Sequence, residues 1–412
     1  MATTTKGTVQ KRRSKGDGTI FKNKRGGWTA RYVQKGIPSK EFTGKTKGEV
    51  KKKLDDWKVK VAIQDAIIDN IKIDEYAKKY MYHKELSIEA GRFKESSLDS
   101  IEKIYVGHLQ NSEAMKKTFR NLTSDDILKT INARKDSLSF STLKKIYNFW
   151  SALIRHAKET GELPLTYNIM NSVELPDESV LPVKTKQMKR ISDQFLPLIK
   201  EIAMSPSPNR NEQFLYKYGP AIVFLLNTGL RGGELLALKR SARVKVDTRY
   251  AIKITQTLSR VKNRTPGAKA KTKLILTKPK YKNSVRTIPL NKEAEFCWNI
   301  MTNLYSKNIF HNDLLLASRT GWPPNLQSLR TTFIKICKRA GLPDEYTLHT
   351  TRHTFATNIV RKTTNMGELK DAAELIGGSY AVVIKNYLHT DNKKKTNLID
   401  AILEDDDFCE VA

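Results

Sequence analysis

The chain holds 412 residues, and at about 150 residues per domain that length predicts two to four compact units rather than one core. Hydrophobic residues at 39% and aromatics at 8% exclude a disordered basic tail. The 74 Lys and Arg against 43 Asp and Glu leave a formal net charge of +31, which points to a polyanionic partner.

Residues 1–16 are polar and basic with no apolar core, so no secretory signal is expected. The longest apolar stretch, residues 221–226, falls far below the roughly 18 residues of a membrane span, so the expected location is cytoplasmic, with no membrane partner. Three scattered cysteines, Cys297, Cys337 and Cys409, fit neither a disulfide framework nor a zinc knuckle and read as reduced, structural thiols.

In chain order, residues 19–21, 28–33 and 40–42 read as short strands separated by turns at Gly26-Gly27 and Gly36-Ile37-Pro38. Thr46 and Glu49 form a capping-box pattern ahead of a helix with Val50, Leu54, Trp57 and Val61 on one face. Lys22, Lys24, Arg25 and Arg31 define a basic strand face suited to DNA phosphates, although an ordinary solvated surface also accounts for each charge. From about Ile73 to Tyr167 the pattern is helical. Leu98, Ile101, Tyr105 and Leu109 recur at helix spacing, Ser124 with Asp125 and Asp126 opens another helix, and a longer one runs from Thr142 to a stop at Gly161. Residues 174–190, with two prolines, many charges and no period, read as a linker. Beyond Ile191 helices flank one β unit, with strands at 250–258 and 272–277 and a third at 285–290 across a polar turn.

Five residues of this last segment form a chemical set: Arg231, Lys280, His349, Arg352 and Tyr387. His349 and Arg352 stand three apart, so one helical turn presents both to a single phosphate. Two planar guanidiniums, Arg231 and Arg352, match the non-bridging oxygens of a pentavalent phosphorus, where negative charge gathers. A tyrosine attacks phosphorus only after losing its proton, about 4 kcal/mol from neutrality at an ordinary pKa of about 10, and His349 is the natural acceptor. The departing 5′ oxygen needs a proton, which Lys280, or Lys282 as the substitute, is placed to donate. Taken singly each has a plainer reading: a solvated cation, a histidine satisfied at a helix start, or a core tyrosine with its hydroxyl in water.

The longer strings around these residues are more specific. Thr228-Gly-Leu-Arg-Gly-Gly-Glu234, Pro279-Lys-Tyr-Lys-Asn-Ser-Val-Arg-Thr-Ile288, Leu348-His-Thr-Thr-Arg-His-Thr-Phe-Ala-Thr357 and the surroundings of Tyr387 resemble the tyrosine recombinase family, in particular integrases of phages and conjugative transposons. The resemblance implies active-site roles for Arg231, Lys280, His349, Arg352 and Tyr387 and a supporting acidic role for Glu234. It implies a multidomain α+β fold: a three-stranded sheet plus helix that binds arm-type DNA sites (1–68), an all-helical core-binding domain (69–173), the linker (174–190), and a mainly helical catalytic domain with a small antiparallel sheet and C-terminal tail (191–412). It further implies site-specific cutting and rejoining of double-stranded DNA through a 3′-phosphotyrosine, serving integration or excision of a mobile element. On the same resemblance no metal or cofactor is expected, a homo-tetramer on DNA in a bacterial cytoplasm is the expected working form, and accessory DNA-bending or excision factors are candidate partners.

One position departs from the family. Nine residues before Tyr387 the family carries His or Trp, whereas here Gly378 offers no side chain; Ser379, Tyr380 or water is left to compensate, and slowed cleavage is expected. The last residues pair an apolar face, Leu398, Ile399, Ile402 and Leu403, with an acidic run, expected to dock on a neighbouring protomer or on its own domain. Two other readings use the same residues: a type IB topoisomerase acting on one duplex, and a DNA-binding protein of this fold that has lost activity at Gly378.

Overall fold

Alternating apolar residues and a capped amphipathic helix build the start of the chain as one small layered unit. In the computed structural model, which describes residues 18–23, 26–34, 37–66, 71–183, 190–279, 282–305 and 308–387, strands β1 (Thr19–Lys22), β2 (Trp28–Gln34) and β3 (Ile37–Gly44) form an antiparallel sheet in sequence order. Helix α1 (Lys47–Ala66) lays Val50 and Leu54 on Ala30 and Tyr32. Its start is capped as the sequence predicts: the Glu49 amide donates to Thr46 Oγ1 at 3.2 Å, and the Lys45 amide donates to the Glu49 carboxylate at 3.0 Å. Ile37 and Pro38, expected in a turn, instead open β3.

The expected basic strand face needs correction. Lys22 pairs with Trp28 and Arg31 with Thr19, and side chains alternate across a strand, so the two cations lie on opposite faces of the sheet. Lys22 sits over the Trp28 ring on the helix-covered side, while Arg31 is paired with Glu41 on the open side beside Phe21. Lys24 and Arg25 lie outside the described residues.

The chain divides into two compact units, residues 1–186 and 187–412. The rest of the first unit is helical: α2 (Ile73–Glu89), α3 (Glu95–Ile104), α4 (Glu113–Lys116), α5 (Ser124–Asn132) and α6 (Phe140–Glu159). Helix α3 runs into a widened π turn over Tyr105–Leu109, which keeps Tyr105 and Leu109 facing the core. The cap of α5 is Thr123, with Asp126 closing the box, one residue earlier than Ser124. Gly161, at φ +81°, follows the end of α6 as expected. The expected linker begins as a bound strap: Leu181 is buried in the helical core and Leu175 packs against it, while Val180 and Val183 stay exposed.

In the second unit α7 (Leu196–Ala203), α8 (Gly219–Thr228) and α9 (Gly232–Leu236) precede β4 (Arg243–Val246), β5 (Arg249–Ile254), β6 (Thr257–Lys262), β7 (Thr272–Thr277) and β8 (Arg286–Pro289). The single β unit expected from the sequence is two sheets. The alternation over 250–258 breaks at Thr255-Gln256 into β5 and β6; β5 sits between β4 and β8, while β6 and β7 form a separate hairpin. Alternation marks a segment as extended without saying which neighbour it pairs with. Helices α10 (Lys292–Leu304), α11 (Leu326–Arg339), α12 (Leu348–Lys362), α13 (Met366–Ile376) and α14 (Tyr380–Tyr387) complete the unit. Its main core packs α8, fully buried but for its final turn, among α7, α10 and α11. Cys297 and Cys337 are buried there, and burial pushes both thiols up to about 12, while Cys409 lies outside the described residues. Among the described residues no helix is long and apolar enough to cross a membrane.

Candidate active site

Helix α8 ends at Gly229, whose φ of +61° and close approach to Phe355 leave no room for a β-carbon. This turn delivers Arg231 to the N-terminus of α9. Glu234, three residues on and 3% exposed, accepts the Arg231 backbone N–H at 2.9 Å and the Arg231 guanidinium at 2.7 Å. A second guanidinium meets the same carboxylate. Arg286, on the inward face of β8 with no exposed side-chain surface, donates to both Glu234 oxygens, at 3.2 and 2.9 Å. Burial alone would raise the Glu234 carboxyl, but the Arg286 hydrogen bonds and charge, then Arg231, hold it below the usual carboxylate range.

Arg352 comes from the second turn of α12. It is buried and donates to the Gly229 carbonyl at 2.8 Å and to the Ile376 carbonyl. The end of α13 therefore meets three arginines in succession. Leu375 O accepts from Arg286 at 2.9 Å, Ile376 O from Arg352, and Gly377 O from Arg231 at 3.3 Å. A helix C-terminus carries unsatisfied carbonyls and partial negative charge, so it is a natural seat for cations. Burial, then Arg231 and Arg286, bring Arg352 down to about 10, which leaves it charged at neutral pH.

Tyr387, the last residue of α14, is 6% exposed and packs in a small cluster with Ala356, Val360, Ile376 and Val383. Burial holds its phenol above the ordinary value, while the charges of Arg352 and then Arg231 work against burial and favour the phenolate. His349 is lowered by burial, then by Arg352 and Arg231, so at neutral pH it is an empty proton acceptor. His353, one turn further along α12, lies edge-on to His349 at 4.6 Å and against the Tyr387 ring at 5.5 Å, between centroids. Burial, then His349 and Arg352, lower it to about 4, and its Nε2 is buried without a partner.

The second unit thus gathers Arg231, Arg352, His349, Glu234 and Tyr387. Lys280 lies outside the described residues, and for Lys282 only the backbone is described, in the single 3-10 turn Lys282–Ser284. The Ser379 hydroxyl accepts from the Val382 amide at 3.4 Å, and that of Tyr380 donates to the Met366 sulfur at 3.0 Å. A β-carbon on Gly378 would meet Val383 at an ordinary 3.4 Å, and a cavity of about 510 Å³ opens between Gly378, Tyr380, Ala373 and Glu374 on one side and Asn283 and Val285 on the other. Sequence reasoning missed two residues of the site, Arg286 and His353. Both stand inside the quoted strings. The available signal for Arg286 was its parity with Ile288, an inward strand position occupied by a cation.

Three guanidiniums gather around a single carboxylate, which contacts two of them, so the site carries surplus positive charge. Residues 191–394 match the model of the phage integrase family, so the second unit carries a domain of that family. The match and the relatives that follow support a DNA strand transferase of the tyrosine recombinase type, acting in site-specific recombination. The chain is 26% identical over 388 residues, 88% of its own length and 91% of the relative's, to a XerC-like tyrosine recombinase of Caldanaerobacter subterraneus subsp. tengcongensis. Among solved structures it resembles the Tn1549 transposon integrase bound to transposon right-end DNA, at 18% identity and a TM-score of 0.62, over 81% of this chain and all of that one. It also resembles a lambda integrase tetramer bound to a Holliday junction, at 16% identity and a TM-score of 0.50, over 90% and 96% of the two chains. These likenesses agree with the α+β fold expected from the sequence.

Proposed function

We propose that this recombinase cleaves one DNA strand by attack of Tyr387 on a backbone phosphorus, forming a 3′-phosphotyrosyl ester. The observation that supports the reading is the packing of Tyr387 on Ala356 and Ile376, beside the helix end whose carbonyls seat Arg352 and Arg231, so that the phenol feels the charge of both. Those two arginines hold the scissile phosphate and offset the charge of the pentavalent state. The phenolic proton passes to His349, the phosphorus–oxygen bond to the 5′ carbon breaks, and Lys280, or Lys282 in its stead, protonates the leaving oxygen. The ester conserves the bond energy for religation by the reverse attack of a 5′ hydroxyl. Glu234 orients Arg231 through its side chain and its backbone.

In the same reading residues 1–68 bind arm-type sites and 69–173 core sites, 174–190 connects them to the catalytic residues 191–412, and four copies act on two cytoplasmic DNA sites with accessory factors to move a mobile element. The similarity to a transposon integrase and to a tetramer on a Holliday junction supports these parts. For the N-terminal sheet, Arg31 and Phe21 on the open face are the contacts in position, and Lys22 serves only from the rim.

The test is covalent trapping on nicked duplexes tiled from the DNA that flanks the chain's own gene. At least one duplex is expected to yield an adduct stable to denaturant and absent in Tyr387→Phe. Adduct in that variant, or none on any duplex with the native chain, contradicts the reading.

A further inference from the structure

Arginine is rarely sequestered from water without a partner that uses most of its fork. Arg286 has no exposed side-chain surface, and its guanidinium donates to four acceptors: both oxygens of Glu234, the Ser284 carbonyl at 3.1 Å and the Leu375 carbonyl at 2.9 Å. These acceptors belong to α9, to the turn before β8 and to the end of α13. The same side chain supports the turn that follows α13. Gly377, at φ +68°, rests so closely on it that a β-carbon would come within 2.9 Å of Arg286 Cδ and Nη1.

Two consequences follow from charge and connectivity. Glu234 is shared between Arg286 and Arg231, and without Arg286 its full charge would fall on Arg231, quenching the cation that faces solvent at 38% exposure. The Leu375 carbonyl is the first of three that lead from α13 through Gly377 to α14 and Tyr387, so Arg286 also anchors the base of the segment that carries the nucleophile.

We infer that Arg286 is a positioning residue for strand cleavage: by sharing Glu234 with Arg231 and pinning the end of α13, it leaves the Arg231 guanidinium open toward phosphate and keeps Tyr387 aligned with it. The inference rests on the proposed cleavage by Tyr387. Arg286 itself touches no DNA; it acts through Arg231 and through the helix end, so its loss changes the rate of cleavage rather than the binding of DNA.

The experiment uses the full chain and the nicked duplex that traps the native protein, measuring adduct formation at saturating protein, DNA affinity and thermal melting. Arg286→Lys keeps the charge and loses the fork; it is expected to melt near the native chain, bind DNA within about twofold and form adduct on the order of tenfold more slowly. Arg286→Gln is expected to lose both cleavage and stability, because Glu234 is left buried with a single partner. Adding Glu234→Gln to Arg286→Gln removes that surplus negative charge and is expected to restore part of the adduct rate, an effect a purely structural arginine would not produce at equal folded fraction. Native adduct rates in Arg286→Lys, or a loss in every variant that matches the loss of folded protein or of DNA affinity, would overturn the inference. Absence of adduct in the native chain would instead sink the cleavage reading itself.

Discussion

The two units bury polar groups in opposite ways. In the first, a partly buried chain of hydrogen bonds runs from His83 to His156 at 3.2 Å, on to the Tyr76 hydroxyl at 2.8 Å and then to Thr160 at 3.0 Å at the surface. Burial pushes Tyr76 up to about 12 and lowers His156, so both stay uncharged and every member has a partner. In the second, Arg231 and Arg286 share one carboxylate while Arg352 rests on backbone carbonyls alone, and the end of α13 offers one carbonyl to each of the three arginines. The first arrangement closes on itself and specifies a fold. The second is left unbalanced, and an unbalanced site costs stability that a bound anion returns.

The sharpest way to break this contrast is to remove one arginine from the surplus. Arg231→Ala, at the exposed end, is expected to lower adduct formation about 10²- to 10³-fold with a smaller loss of melting temperature than Arg286→Gln, because Arg286 and the backbone N–H of residue 231 still hold Glu234. Glu234→Leu acts in the other direction, stranding Arg286 without its anion, and is expected to cost about 3–5 kcal/mol in chemical denaturation. An intermediate effect comes from His353. Its folded pKa of about 4 lies below the unfolded value of 6.5, so the unfolded chain binds its proton first as pH falls. Stability should therefore be complete above about pH 6.5 and decline toward pH 4, by about 3 kcal/mol if this group acted alone. His353→Asn should flatten that slope in denaturation midpoints measured at pH 7 and pH 5; an unchanged slope counts against a buried neutral imidazole at this position. In the first unit Tyr76→Phe should cost only about 1 kcal/mol and leave adduct formation untouched, because it trims a satisfied neutral network. Smallest of all, breaking the exposed Arg31–Glu41 pair with Glu41→Ala should change stability by less than about 1 kcal/mol.

Legibility in the sequence followed the same division. Local signals were sufficient where one element decides the outcome: the Thr46–Glu49 cap, the stop at Gly161, and the apolar rows of α5 and α6 all stand where spacing put them. The motif strings were enough for Arg231, His349, Arg352 and Tyr387 to be named together. What stayed hidden depends on pairing between distant segments. Nothing local says that β8 joins β5 rather than β7, and without that pairing Arg286 reads as one basic residue among 74. Nor does a list of basic residues around a hairpin reveal that Lys22 and Arg31 face opposite ways; strand register decides it. His353 escaped because its neighbour Arg352 explained the string, and only the packing of α14 against α12 brings the Tyr387 ring to it. At Gly378 the sequence showed the missing side chain, and the structure adds that room for one exists beside Val383, so Gly378→His is a substitution the fold can accept.

The most direct test of the account is to digest the trapped adduct with protease and nuclease and to locate the nucleotide by mass spectrometry. A phosphorylated nucleotide remnant on the peptide bearing Tyr387, attached through the phenolic oxygen to a 3′ phosphate, is the result predicted. The same remnant on another residue, or a linkage to a 5′ phosphate, would contradict it.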